Sequence, residues 1–202
     1  ERFPGHVAPR FIFRMAQSEN LLPFILGAYR APVALPALRA ADGRWSILTE
    51  TEIRRQGFIQ TARRFAAINQ KLKTVGKGKS LQERIDERGK LSKQVFGVEG
   101  YLLLAGAGGK NICAACVPLA QAKDIVVDQT LYWKVITDQQ EAWFQIGMLN
   151  STALTTATLP FNPKGDFSER HLHTLPYRLM PAYDAANANH REISALAKEL
   201  AI

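Results

Sequence analysis

Hydrophobic positions along the chain fall into three regimes. Between residues 50 and 75 they recur at helical spacing: Phe58, Phe65, Ile68 and Leu72 follow 7-3-4 steps and make one apolar stripe. Thr49 stands before this stripe as an N-cap, and Glu52 three residues on completes a capping box. Gly76-Lys77-Gly78-Lys79 breaks the helix. Ser80 and Glu83 repeat the capping pattern for a second one, with Leu81, Ile85, Leu91 and Val95 expected to face inward. The spacing thus predicts a helical hairpin over 50–97.

The flanking regimes differ. Before residue 50, short extended pieces alternate with Pro23, Pro32 and Pro36, which exclude a long helix. Arg10 to Met15 alternates basic and apolar residues and reads as an edge strand; 41–44 is a turn leading into a short strand at 45–48. After residue 98, strands are expected at 100–105 and 111–119 around a glycine-rich tip, then at 125–127 and 131–136. Asp138 caps a helix over 139–153. Residues 159–178, with three prolines and two glycines, read as a long loop, and a last helix spans about 186–200. The fold class is α+β in three parts. An N-terminal strand and loop region, 1–49, packs on a recognition domain; a basic helical hairpin occupies 50–97; a small mixed domain with short strands and a C-terminal helix occupies 98–202.

Charge sharpens this division. Residues 53–82 carry Arg54, Arg55, Arg63, Arg64, Lys71, Lys73, Lys77 and Lys79 and no acid. From 50 to 97 there are twelve Lys/Arg against five Asp/Glu, a net of +7, whereas 1–49 carries +3 and 98–202 carries −2. Nearly the whole +8 of the chain is therefore central. A merely solvated helix face would intersperse acids at i,i+4. A local field of this kind points to a polyanion, because each cation set on a phosphate releases condensed counterions. No run approaches the ~20 apolar residues of a membrane span. The chain opens on Glu1 without a leader, which reads as a fragment of a longer protein in a reducing cytoplasm.

Several chemistries are disfavoured. Gly106-Ala-Gly-Gly-Lys110 lacks P-loop spacing and leads into a strand, so it reads as a hairpin tip that brings Lys110 to a nucleic-acid backbone. Asn162-Pro163-Lys164 departs from the Asn-Pro-Pro-aromatic motif of amino-methyltransferases at its last two positions, and no glycine-rich cofactor loop accompanies it. Ser151, His171 and His173 come without a nucleophile elbow, and Asp124 and Asp128 without a nuclease pattern. Cys113 and Cys116 have C-x-x-C spacing but sit in an apolar, strand-like run that reads as buried thiols. No catalytic residue and no metal ligand is assigned.

The ordered set Asp128-Gln-Thr-Leu-Tyr-Trp133, Glu141 to Ser151 with its Leu149-Asn150-Ser151, Phe167 to Tyr177, and His190 with Ile193, Leu196 and Ala197 resembles a target-recognition domain. Such domains end the large DNA adenine-N6 methyltransferases of restriction-modification and phage-defence systems. The TaqI-like C-terminal specificity domain and the type I specificity subunits share this order of parts. The likeness covers about 98–202; Gly165-Asp-Phe-Ser168 replaces the usual Gly-aromatic-Gly pattern. The resemblance implies that the Leu-Asn-Ser helix is structural and that this fragment reads DNA without a catalytic site of its own. The methyltransferase domain of the same chain would bind S-adenosylmethionine, and the fragment itself no cofactor.

Two kinds of contact to double-stranded DNA follow. Arg and Lys of the hairpin clamp phosphates without sequence preference. Loop residues read base edges: Arg170 on guanine, Asn111 or Asn162 on adenine, with Lys164, His171 and His173 suited to either task. The alternatives are an RNA-binding or protein-docking scaffold module of a defence complex.

Overall fold

In the computed structural model the described residues are 5–27, 31–75, 78–106, 111–161 and 179–201. The elements in chain order are β1 (Ile12–Ala16), β2 (Leu21–Leu22), β3 (Ile25–Leu26), β4 (Pro32–Ala34), β5 (Ala37–Arg39), β6 (Trp45–Ile47), α1 (Glu50–Arg55), α2 (Ile59–Val75), α3 (Leu81–Ile85), β7 (Tyr101–Gly106), β8 (Ala114–Pro118), β9 (Ile125–Val127), β10 (Leu131–Ile136), α4 (Gln139–Leu149), α5 (Thr152–Thr158) and α6 (Ala188–Leu200). The fold is α+β, with short strands in several small sheets. No helix among the described residues is long and apolar enough to cross a membrane.

The chain forms two compact units that cut across the expected division at 49/50. The first gathers Glu1–Met15, Ala31–Val98 and Asp124–Val126; the second gathers Ala16–Arg30, Glu99–Lys123 and Val127–Ile202. The N-terminal region therefore splits. Most of it folds with the helical segment, because Phe11, Leu48, Ile53, Ala62 and Phe65 share one core.

In the first unit, β1 is the middle of the sheet β4-β1-β9 and not the edge strand its alternation suggested. Arg14 N–H donates to the Asp124 carbonyl at 2.8 Å and Met15 N–H to the Ala31 carbonyl at 3.0 Å, so partners lie on both sides. The alternation reflects burial instead: Phe11 and Phe13 are inside, Ile12 is 41 % exposed, and Arg14 reaches the Asp124 carboxylate at 2.5 and 2.7 Å. That bond raises the Arg14 pKa further. β5 and β6 form a hairpin through the 41–44 turn, where Gly43 takes φ +85 and a Cβ would lie 2.9 Å from the Gly97 nitrogen.

The helical segment is broken where one continuous helix was expected. α1 stops at Arg55, Gly57 adopts φ +86, and α2 begins at Ile59. A left-handed residue cannot continue a right-handed helix, and glycine takes that conformation without a Cβ penalty. The turn places Phe58 beside Phe11, edge to face at 5.4 Å, while Phe65 also meets Phe11 at 6.3 Å. Truncating fully buried Phe65 to alanine would cost roughly 3–5 kcal/mol. The second arm of the hairpin is short. α3 ends at Ile85, and Arg88 and Gly89 both take positive φ, so the helical period is lost before Val95. Val95 is 42 % exposed, against the expectation, and Gln94 and Phe96 are buried in its place.

In the second unit, β7 pairs antiparallel with both β10 and β8, and Leu102, Leu103 and Leu104 are all fully buried. A strand covered on both faces reads as an unbroken apolar run. α4 is capped by Asp138, whose carboxylate accepts the Glu141 N–H at 2.7 Å. It ends at Leu149, four residues before the expected boundary, because Ser151 caps a new helix, α5, by accepting the Leu154 N–H at 3.1 Å. α4 and α6 pack closely at Gly147, where a Cβ would stand 2.8 Å from Ile193 Cγ2.

Candidate nucleic-acid interface

The acids nearest the basic tract are used up locally. Glu52 Oε2 accepts the Thr49 N–H at 2.7 Å while Thr49 Oγ1 accepts the Glu52 N–H at 3.3 Å, the reciprocal capping box. Glu83 and Ser80 repeat it at 2.7 and 3.2 Å. Hydrogen bonds from the Thr49 and Ser80 backbones, then from their hydroxyls, hold both carboxyls below the ordinary glutamate range. Glu50 accepts a hydrogen bond from Nδ2 of Asn69, which is buried on the inner side of α2.

Asn69 is a hub. Its Nδ2 also reaches Gln82 Oε1 at 3.0 Å, its Oδ1 accepts the Leu81 N–H, and Gln82 in turn donates to the Leu48 carbonyl at 3.0 Å. One amide thereby ties α1, α2 and the start of α3 together. The sequence reading did not single out Asn69, because an amide beside an apolar stripe gives no sign of partners brought in by folding.

With the acids turned to capping and to Asn69, cations are left outside. Arg54 and Arg55 are exposed in the last turn of α1, where positive charge suits the helix dipole. Arg63, Lys71 and Lys73 are exposed along α2. Arg64 is half-buried and its Nη1 donates to the Gly5 carbonyl, so it is partly committed to the fold. Lys79 is paired with Glu87 at 2.8 Å, which offsets its charge in the free protein. Asn111 is exposed just before β8. Lys77, Lys110, Asn162, Lys164, Arg170, His171 and His173 lie outside the described residues.

Residues missed in the sequence reading also line this surface. Ile59, Gln60, Ala66, Ala67, Gln70 and Thr74 are exposed on α2 together with Arg63. No acid occurs from Ile59 to Val75. The same period that found the buried stripe marks this complementary face.

The remaining candidates are structural. The Asn150 side chain accepts the Ala114 N–H and donates to the Ala114 carbonyl, both at 2.8 Å, so Leu-Asn-Ser joins the end of α4 to β8. Cys116 is buried and Cys113 half-buried, with its Sγ donating to the Leu21 carbonyl at 3.6 Å. Burial pushes the thiols up to about 11 at Cys113 and about 12 at Cys116, which favours the protonated form at neutral pH. His190 lies on Phe144 at 4.6 Å, and its Nδ1 accepts the Asp184 N–H at 3.0 Å. Among the described residues no three His, Cys, Asp or Glu side chains converge as a metal site. No protein-family model matches the chain, and no curated protein matches it.

Proposed function

We propose that this chain binds double-stranded DNA through the outer surface of α1 and α2, and that it serves site selection rather than catalysis. The observation that carries the reading is the acid-free face of α2 beside Arg54 and Arg55, with Glu50 and Glu52 held in internal hydrogen bonds. A surface evolved only for solubility has no reason to sequester acids while leaving cations outside. Contacts from such a surface go to phosphates first, and they set affinity and position without reading sequence.

The likeness of 98–202 to methyltransferase target-recognition domains supports a role beside an adenine-N6 methyltransferase domain of the same protein, which would hold S-adenosylmethionine. In that arrangement the present chain brings the modification enzyme to its site in restriction-modification or phage defence. Fluorescence anisotropy with a labelled random-sequence duplex tests the binding step. Binding should strengthen steeply as salt falls, and duplex should outcompete single-stranded RNA. Absence of duplex binding even at ~20 mM salt, where phosphate contacts are strongest, would falsify the proposal; preference for the RNA competitor would replace it with the RNA-binding alternative.

A further inference from the structure

We infer that α2 itself enters the major groove and reads bases, with Gln60, Arg63 and Gln70 as the reading residues. This rests on the duplex-binding proposal and extends it, since base reading was assigned above only to loops.

Three observations converge on the helix. First, its composition changes around its circumference. The inner side buries Ala62, Phe65 and Asn69, whereas the outer side offers two amides, one guanidinium, two alanines and a threonine. Amides and guanidinium groups are the forked partners of adenine and guanine edges, and small apolar groups fit against thymine methyls. A phosphate-only surface would need cations at these positions instead.

Second, the cations flank that face. At roughly 100° per residue, Lys71 lies about 80° to one side of Arg63 and Lys73 about 80° to the other. A helix seated in a groove needs its reading residues at the centre and positive charge toward both bordering strands. α2 runs 17 residues, about 25 Å, and a helix about 10–12 Å across fits a major groove about 12 Å wide.

Third, α1 and α2 are joined by the three residues Gln56, Gly57 and Phe58, with the left-handed glycine in the middle. Two helices with a tight glycine turn form the local order of a helix-turn-helix, in which the second helix occupies the groove. α1 then carries Arg54 and Arg55 toward the backbone. The turn is anchored by Phe58 and Ile53 in the core, while Gln60 and Gln70 are exposed.

Selection from a randomised duplex library, followed by sequencing of the bound fraction, tests the assignment on the whole chain. Wild type should enrich a defined sequence. Gln60→Ala with Gln70→Ala removes no charge and touches no core residue; it should keep bulk duplex affinity within about threefold while discrimination at the contacted base pairs falls by roughly tenfold or more. Arg63→Lys keeps the charge, loses the fork, and should relax one position, mostly a guanine. Melting temperatures of the variants equal to wild type exclude loss of fold as the cause. Enrichment of the wild-type sequence by both variants overturns the inference and leaves duplex binding intact, with the reader elsewhere. Wild-type binding with no enrichment overturns it as well. No duplex binding by wild type removes both proposals together, and displacement of the bound duplex by an equal concentration of single-stranded RNA competitor assigns the face to a different polymer.

Discussion

α2 and α4 are both helices with a buried aromatic, yet they are covered differently. α2 is amphipathic: one side joins the core through Ala62 and Phe65, and the other is an acid-free run of cations, amides and alanines. α4 buries Ala142, Phe144, Gln145, Ile146 and Leu149, which point in several directions, so little of it is left to display anything. Each helix is held by a side-chain amide, Asn69 in one and Asn150 at the end of the other. The lesson is that a helix covered on one side is available for recognition, while a helix covered all round is framework. Charge follows the same division: the block containing α2 carries +7 and the C-terminal half −2.

The contrast breaks if charge matters equally on both helices' units. Reversal of Arg54, Arg55, Arg63 and Lys73 to Glu should weaken duplex binding on the order of 100-fold at ~0.1 M salt and flatten the salt dependence. Lys198→Glu on α6 should leave both within about twofold. Equal losses per reversed charge, measured by anisotropy across a salt series, would mean that net charge and not the α2 face governs binding.

The amides sharpen the comparison next. Asn150→Ala strips two hydrogen bonds from the Ala114 backbone, whose residue is fully buried, and should destabilise the second unit by about 1–3 kcal/mol in urea unfolding. Asn69→Ala should destabilise the first unit by a similar ~2 kcal/mol. It should also release Glu50 toward the basic surface and reduce DNA affinity several-fold. A binding defect from Asn150→Ala larger than that from Asn69→Ala would contradict the division of roles.

A smaller effect separates the units by pH. Glu52 and Glu83 have carboxyls depressed by their capping bonds, so they stabilise the first unit above the ordinary glutamate value. That contribution is lost as pH falls through the lowered folded-state values. Replacing both with Gln should flatten the decline of melting temperature below about pH 5. The smallest expected effect is on thiol chemistry. With Cys113 at about 11 and Cys116 at about 12, neither should react appreciably with iodoacetamide at pH 7.5 in the folded chain, and both should react in urea. Rapid native labelling of Cys113 would show that its cover opens readily.

Local signals in the sequence were sufficient for much of this. Thr49 with Glu52, Ser80 with Glu83 and Asp138 are caps because capping is a contact over three residues, and the α2 stripe is visible because helical period is a local property. β7, β8 and their antiparallel pairing follow from two apolar runs around a glycine tip. Gly57 was the overlooked local signal, a glycine within an otherwise helical pattern that ended α1.

What the sequence by itself determined is where the capped helices begin, how strands are spaced, and that positive charge is concentrated in the middle of the chain. Only the tertiary structure decided that β1 is a central strand, that Glu50 turns to Asn69, that Lys79 pairs with Glu87, and that Val95 leaves the core. Each of those outcomes depends on a partner brought close by folding, as Asp124 is to Arg14 across 110 residues. Period and capping are written within a few residues of chain; the choice of partner for a charge or an amide is made by packing.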